Sequence, residues 1–394
     1  MTESPQHADP SILAARLHAV RDTLALHGVD AAVVVHGPNI RYLTNFRASS
    51  AALVVAREQL YLVTDFRYSG AFSALQSARI VPSDVVLGVA AQSIDETLAA
   101  WIRERPGERV GVESRYLALS RYTWLVDAVS GGLSGLGGTP LPPADVLVPL
   151  GDVVEPSRTR KDPFELAILR EAGRRISAVA ARITTGVVRV GRREQDIAAE
   201  IDGLIAGAGF ERPAFETIVA SGPNGAFPHA RPTPRTIRDG DLVIVDFGGV
   251  LSGYCVDVTR TIAAGRPSAR LRRLHAAVLD AQRAAMTMAA PGVTAGAVDR
   301  AAREVLDRAD LGRFFGHGTG HGLGLEVHEA PAITSLRPEA AAATLAAGMV
   351  FTLEPGVYVP DLGGVRIEDD VVLTAAGAEP ITTAPRGLVP GDDA

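Results

Sequence analysis

Three histidines stand within twelve residues of one another, separated by glycines, in the run Gly316-His317-Gly318-Thr319-Gly320-His321-Gly322-Leu323-Gly324-Leu325-Glu326-Val327-His328. Histidine is the commonest metal ligand and the side chain that titrates near neutral pH. Glycine opens backbone conformations closed to other residues and lets neighbouring groups approach closely. The run reads as a metal or proton-transfer site, though by itself it also fits a plain turn. Carboxylates elsewhere decide between the two. Residues 240–248 and 348–356 are apolar strands opened and closed by glycine, each with one acid near its end, Asp246 and Glu354. Each is followed by a second strand with a second acid: Asp257 in 253–257 and Glu368 in 364–368.

Asp246 and Asp257 lie across a glycine-containing turn at 248–253, so two antiparallel strands would bring both acids to one face. The same holds for Glu354 and Glu368. Placing the two halves around a pseudo-twofold gathers four carboxylates at the centre. Uncompensated, they would be very costly in an apolar sheet, and protons or cations must relieve that cost. Two divalent ions balance the four acids in formal charge, and His321 adds a fifth ligand. An oxygen-rich set with one imidazole and no thiolates favours Mn²⁺, with Co²⁺, Zn²⁺ or Fe²⁺ possible. Such a pair lowers the pKa of water and polarises a carbonyl, so the implied chemistry is hydrolysis.

The elements around these acids repeat. Val190-Gly191 precedes a helix around Ile197, Ile201 and Ile205, and Pro291-Gly292 precedes one around Val298, Ala302 and Leu306. Each half then reads helix, helix, strand, strand, with acid in register with acid. Upstream, 10–27 shows helical spacing closed by Gly28, and 31–35, 51–55 and 59–64 read as strands. Residues 93–103 read as a helix and 110–113 as a strand, which gives an α/β N-terminal domain. Glycine, proline and serine crowd 131–143, and the segment from there to Arg160 reads as a linker. Asp162-Pro163-Phe164-Glu165 opens a helix with a capping box. The domains are therefore 1–157 and 158–394.

Five motifs are then recognisable: Val245-Asp246-Phe247-Gly248, Asp257-Val258-Thr259-Arg260-Thr261, Gly320-His321-Gly322-Leu323-Gly324, Leu353-Glu354-Pro355-Gly356 and Val365-Arg366-Ile367-Glu368-Asp369. The chain resembles the pita-bread metallopeptidases, and within them the Xaa-Pro peptidases, prolidase and aminopeptidase P. The match runs from about Arg158 to the end, and the N-terminal part loosely resembles the creatinase/prolidase N-domain. The resemblance implies an α+β pita-bread (creatinase/aminopeptidase) C-terminal domain with a pseudo-twofold repeat. It implies that Asp246 binds one metal, Asp257 and Glu368 bridge both, and His321 and Glu354 bind the other, with Glu354 moving a proton. It implies that His229 contacts substrate and that His328 stabilises the developing oxyanion. Arg366 and Tyr358 match further active-site positions, and His317 lines the pocket.

The function expected is dinuclear metal-dependent hydrolysis of the Xaa-Pro bond, as an Xaa-Pro dipeptidase acting on proline-containing peptides. The alternative is aminopeptidase P, which releases the N-terminal residue from longer Xaa-Pro peptides. A metal-free creatinase-like enzyme and a non-catalytic peptide-binding module are disfavoured because all five ligand positions are filled. A net charge of -6 argues against nucleic acid or an anionic membrane as the partner. The single cysteine, Cys255, excludes an intrachain disulfide, and neither a signal peptide nor a bilayer-spanning apolar run is apparent. A cytoplasmic protein is expected from these features, and a homodimer from the resemblance.

Overall fold

The structure is a computed structural model and describes residues 6–133 and 146–388. The chain forms two compact units, Gln6–Arg158 and the residues from Thr159 onward.

In the first unit, six strands build one mixed sheet. They are β1 Ala31–Val34, β2 Ala51–Ala56, β3 Leu60–Thr64, β4 Val85–Val89, β5 Val110–Glu113 and β6 Leu147–Leu150, in the order β4-β3-β2-β1-β5-β6. Helices alternate with them, as the sequence pattern predicts. The first, Pro10–Leu26, is capped by the Asp9 side chain and carries proline in its first turn, where a missing N–H costs nothing. The expected linker is corrected. Residues 147–150 pair in parallel with β5, and Glu155–Thr159 is helical. Buried Val146, Leu147, Leu150, Val153 and Val154 explain this, since so apolar a segment gains more in a core than in solvent. Pro149 is tolerated because β6 is an edge strand. Of the glycine-rich stretch, residues up to Leu133 continue a helix, and 134–143 lie outside the described residues.

The second unit is built twice from a helix pair and a hairpin. Helix Pro163–Arg182 opens on the predicted capping box, in which the Asp162 carboxylate accepts from the Glu165 N–H at 3.0 Å and Glu165 accepts in return from the Asp162 N–H at 3.1 Å. With helix Glu194–Gly207 it covers one face of a sheet made from β7 Arg212–Pro213, β8 Ile218–Ser221, β9 Leu242–Leu251 and β10 Tyr254–Ala263. Ile168, Ile176, Ile197 and Ile201 pack with Val243, Val245, Phe247, Val256 and Val258. Strand alternation therefore turns Asp246, Asp257 and Thr259 to the opposite face. The register agrees, with Asp246 opposite Thr259 and Asp257 opposite Gly248, so the two acids are diagonal neighbours. The turn is tighter than expected. β9 runs on to Leu251, and only Ser252 and Gly253 turn, both with positive φ, as a two-residue hairpin requires.

Helices Ala269–Met288 and Ala295–Arg308 repeat the plan over β11 Gly320–Gly322, β12 Glu329–Ile333, β13 Val350–Leu353, β14 Gly356–Val359, β15 Gly363–Arg366, β16 Asp369–Thr374 and β17 Gly377–Pro380. Here the two expected acid-bearing strands are each divided in two. β13 pairs with β16 and β14 with β15, and the ladder is interrupted where Glu354-Pro355 faces Ile367-Glu368. Pro355 has no N–H to give the ladder, which accounts for the break at this point. The interruption leaves Glu354 and Glu368 outside regular strand, where they are free to turn inward.

Arg260 ties the two hairpins together. Fully buried on β10, it donates to the carbonyls of Thr259, Glu368, Ala384 and Pro385 and to the Asp369 carboxylate at 2.7 Å. Arg386 and Gln282 donate to the same carboxylate. Replacing Arg260 by methionine keeps the volume, removes all five of its donated bonds and takes this donor from the Glu368, Ala384 and Pro385 carbonyls. The Arg260→Met protein should lose about 3–5 kcal/mol, read as a lowered denaturant midpoint.

Candidate active site

All ten residues singled out by the sequence pattern and by the family resemblance line one cavity of about 910 Å³ in the second unit: Asp246, Asp257, His321, Glu354, Glu368, His229, His317, His328, Tyr358 and Arg366. The ligand atoms of Asp257, His321 and Glu368 lie within 4.8 Å of one another. His321 Nε2 is 3.9 Å from Asp257 Oδ2 and 3.6 Å from Glu354 Oε1. Asp246 sits beside them, with one oxygen bonded to Arg366.

The electrostatics of this cluster are those of a cation site. Burial pushes the Asp257 carboxyl well above its usual range, and the neighbouring carboxylates of Glu368, Asp246, Asp370 and Glu354 push it further. Burial, then Glu354 and Asp246, raises Glu368 in the same way. Glu354 is raised too, chiefly by burial. Asp246 Oδ1, Asp257 Oδ1 and Glu368 Oε1 are buried acceptors with no hydrogen-bond donor. Unsatisfied buried acceptors on converging acids are rare and demand an explanation. Divalent cations would supply one, since converging carboxylates with an imidazole suit hard-to-borderline ions.

The imidazole is prepared for that role. His321 Nδ1 faces the Gly322 carbonyl at 3.1 Å, so Nδ1 carries the proton and Nε2 offers its lone pair to the acids. Burial lowers its pKa and keeps the ring neutral. His321 lies on β11 rather than in the loop that a glycine-rich run suggests. The glycines serve close approach. A Cβ on Gly320 would stand 1.9 Å from the Thr352 carbonyl, and one on Gly322 would stand 2.2 Å from that of Ala330.

A second chain of bonds has a fixed direction. Arg366 Nη1 donates to the Tyr358 hydroxyl at 2.8 Å. Tyr358 must then give its own proton to His317 Nε2 at 2.9 Å, because His317 Nδ1–H is committed to the Gly318 carbonyl at 2.8 Å. Burial pushes the Tyr358 phenol up to about 12 and lowers the His317 imidazole, so both are neutral, as the chain requires. His328 packs edge-on against His321 with ring centroids 4.3 Å apart, and its ring is kept neutral by partial burial and by the nearby His321 and His229. His229 is exposed at the pocket wall.

Several residues that build this arrangement escaped the sequence pattern. Thr259 donates to Glu368 Oε2 at 2.6 Å and accepts from Arg366. Asp370 accepts the Asp257 backbone N–H at 2.9 Å. Glu194, fully buried in the first turn of its helix, accepts from Ser221, Asn224 and Thr233, and so holds the segment that carries His229. Asp299, on helix Ala295–Arg308, does the same for the histidine run. It accepts from the N–H and hydroxyl of Thr319 and of Ser335, and from Arg303 Nε at 2.7 Å. Arg303 also donates to the carbonyls of Phe315 and His317. In sequence, each acid sits on an amphipathic helix and looks like a solvated charge. No local signal separates it from one.

Comparison with known proteins places these features in a wider setting. Residues 167–375 match the family described as Metallopeptidase family M24, and residues 16–136 match the Creatinase/Prolidase N-terminal domain. The Xaa-Pro dipeptidase of Pyrococcus furiosus is 40% identical over 240 residues, 61% of this chain and 68% of that protein. Among solved structures, the Xaa-Pro dipeptidase from Bacillus anthracis superposes with a TM-score of 0.86 at 31% identity, covering 96% of this chain and 99% of that one. An X-Pro aminopeptidase from Thermotoga maritima gives 0.79 at 31% identity, covering 93% and 99%.

Two outcomes test the positioning shell. Thr259→Val keeps the shape and removes the hydroxyl, and should weaken divalent-ion affinity about 10–100-fold in a metal-competition titration. For Asp299, burial works against the charge, but the bonds from Arg303, Ser335 and Thr319 hold its pKa below the ordinary 3.8. A depressed carboxylate contributes stability above its unfolded pKa and loses it as the pH falls through the folded one. Denaturation of Asp299→Asn and the parent across pH should therefore show a stability gap that is full at neutral pH and shrinks below about pH 4.

Proposed function

The chain belongs to metallopeptidase family M24, and on that footing we propose that it is an Xaa-Pro dipeptidase that cleaves the bond between an N-terminal residue and proline. The observation that carries the metallohydrolase reading is the set of buried, donorless carboxylate oxygens converging with a neutral imidazole. Asp246, Asp257, His321, Glu354 and Glu368 would hold two divalent cations, for which we propose Mn²⁺. Bound there, such ions supply Lewis-acid polarisation and a water of lowered pKa.

The chain's own residues do the rest. Glu354 has the most exposed side chain of the four acids, at 18%, against 12% for Asp246 and 7% for Asp257, and Glu368 is only 1% exposed as a residue. It is the one placed to exchange a proton with the pocket and to pass it to the departing proline nitrogen. His328 and His229 line the same space; His328 would hold the oxygen on which negative charge develops, and His229 would contact the substrate. Arg366, through Tyr358, fixes the His317 ring at the pocket wall. The scissile bond has no N–H, so recognition rests on the shape of the proline ring, and Phe215, Ile218, Phe314 and Val327 supply apolar wall.

A dipeptide also presents a free carboxylate, which calls for a cation. Three arginines line the cavity. Arg366 is consumed by Asp246 and Tyr358, and Arg231 pairs with Glu216 at 3.3 Å. Arg313 is exposed, its guanidinium lies over the Phe314 ring at 4.8 Å, and among the described residues it makes no ion pair. We assign the dipeptide carboxylate to Arg313. The second reading, aminopeptidase P, is favoured by the likeness to the Thermotoga enzyme and needs an open path at this point. We further propose a homodimer in the cytoplasm; among the described residues, no helix is long and apolar enough to cross a membrane.

The protein reconstituted with Mn²⁺ should cleave Xaa-Pro dipeptides, lose the activity to a chelator and regain it on adding the ion. Asp257→Asn should abolish it. Arg313→Ala should raise KM for the dipeptide about tenfold, the worth of one exposed charge-assisted contact, and leave the C-terminal amide unaffected. Undiminished cleavage of tripeptides and longer chains would replace the dipeptidase reading with aminopeptidase P.

A further inference from the structure

Of the 39 lysine and arginine residues in the chain, one is lysine: Lys161. It is not on the surface. Its side chain is 0% exposed, and its ammonium lies 3.1 Å from Glu329 Oε2, itself 7% exposed. The Lys161 backbone is fixed as well, with its N–H donating to the Gly348 carbonyl at 2.7 Å and Arg160 bridging to Met349. Glu329 is the residue after His328. Its other oxygen accepts the Glu326 N–H at 3.0 Å, and its backbone stands opposite Gly322, beside His321. The carboxylate also lies against Gly324, where a Cβ would come within 2.9 Å of it. One carboxylate thus folds the turn 324–329 over itself, and one ammonium pins that turn to the segment before helix Pro163–Arg182.

A buried ion pair is weak evidence for stability, because desolvation offsets most of the attraction. Its use is to fix a geometry. The exception to arginine has a chemical reason. A guanidinium carries five donors in a plane, and those left without acceptors in a buried site are costly, whereas a compact ammonium suits one carboxylate in a narrow space. We propose that Lys161 is a positioning residue whose ammonium, through Glu329, sets the place of the His328 ring in the pocket. This rests on the reading in which His328 faces the substrate.

The test is a double-mutant cycle on the full-length, metal-reconstituted protein with an Xaa-Pro dipeptide, together with NMR of the histidine-labelled full-length protein loaded with diamagnetic Zn²⁺, at one pH. In the parent background, Lys161→Met should lower kcat/KM about 10–100-fold. In the His328→Ala background, the same change should cost no more than about twofold. Lys161→Arg should not restore the parent rate, and the His328 ring resonance, assigned by its loss in His328→Ala, should move in Lys161→Met. Equal costs in both backgrounds, or an unmoved His328 resonance, would overturn the proposal. If Lys161→Met does not fold, Glu329→Gln carries the same cycle and the same NMR reading. A parent protein that cleaves no Xaa-Pro peptide would sink the functional reading alone, and the resonance would still decide the role of Lys161.

Discussion

Four carboxylates cannot stand together in a low-dielectric interior unless positive charge stands with them. Asp246, Asp257, Glu354 and Glu368 do so on the inner faces of two hairpins, and much of the surrounding structure answers to that constraint. Arg366 meets Asp246 directly. Arg260 grips the backbone of both hairpins from behind and absorbs the charge of Asp369. Thr259 gives Glu368 a proton donor from a neighbouring side chain. The oxygens still without donors point the same way, and a site so assembled selects for divalent cations by electrostatics before any question of ligand geometry.

The two halves solve the same mechanical problem with different residues. Each must hold a segment carrying histidine (His229 in one half, the 317–328 run in the other) against a sheet of acids, and each does it with a buried carboxylate on its second helix. Glu194 gathers Ser221, Asn224 and Thr233, and Asp299 gathers Thr319 and Ser335. Measured from Gly191 and Gly292, the two acids are one helical turn apart, and the longer glutamate serves the position nearer the helix start. The two halves therefore share the way a loop is clamped, with the clamping residue one turn further along the helix in the second half. Rigidity in these segments matters because a metal or oxyanion ligand that drifts by an ångström forfeits much of its effect.

The pattern of acids and histidines was legible because it obeys simple rules. Alternation put Asp246 and Asp257 on one face, and glycine marked where backbones must touch. The capping box at Asp162 fixed a helix start to the residue. What stayed hidden was set by long-range contact. Nothing local told Glu194 or Asp299 from a solvated helix charge, and Thr259 looked like any strand threonine. The division of the second hairpin was foreshadowed by Pro355, but the strands around it were apolar enough to read as continuous. The segment 147–159 was misread as a linker because a glycine- and proline-rich stretch precedes it, although its own valines and leucines belong to a core.

The solitary lysine has a practical corollary. Arginine clothes the rest of this molecule, so reagents that acylate or cross-link side-chain amines have one target in the whole sequence, and it is sealed in the interior. Its modification can proceed only when the 324–329 turn lets go of the segment that precedes helix Pro163–Arg182. The rate at which an activated ester labels that amine is therefore a built-in clock for local opening beside the reaction chamber, one that needs no introduced probe.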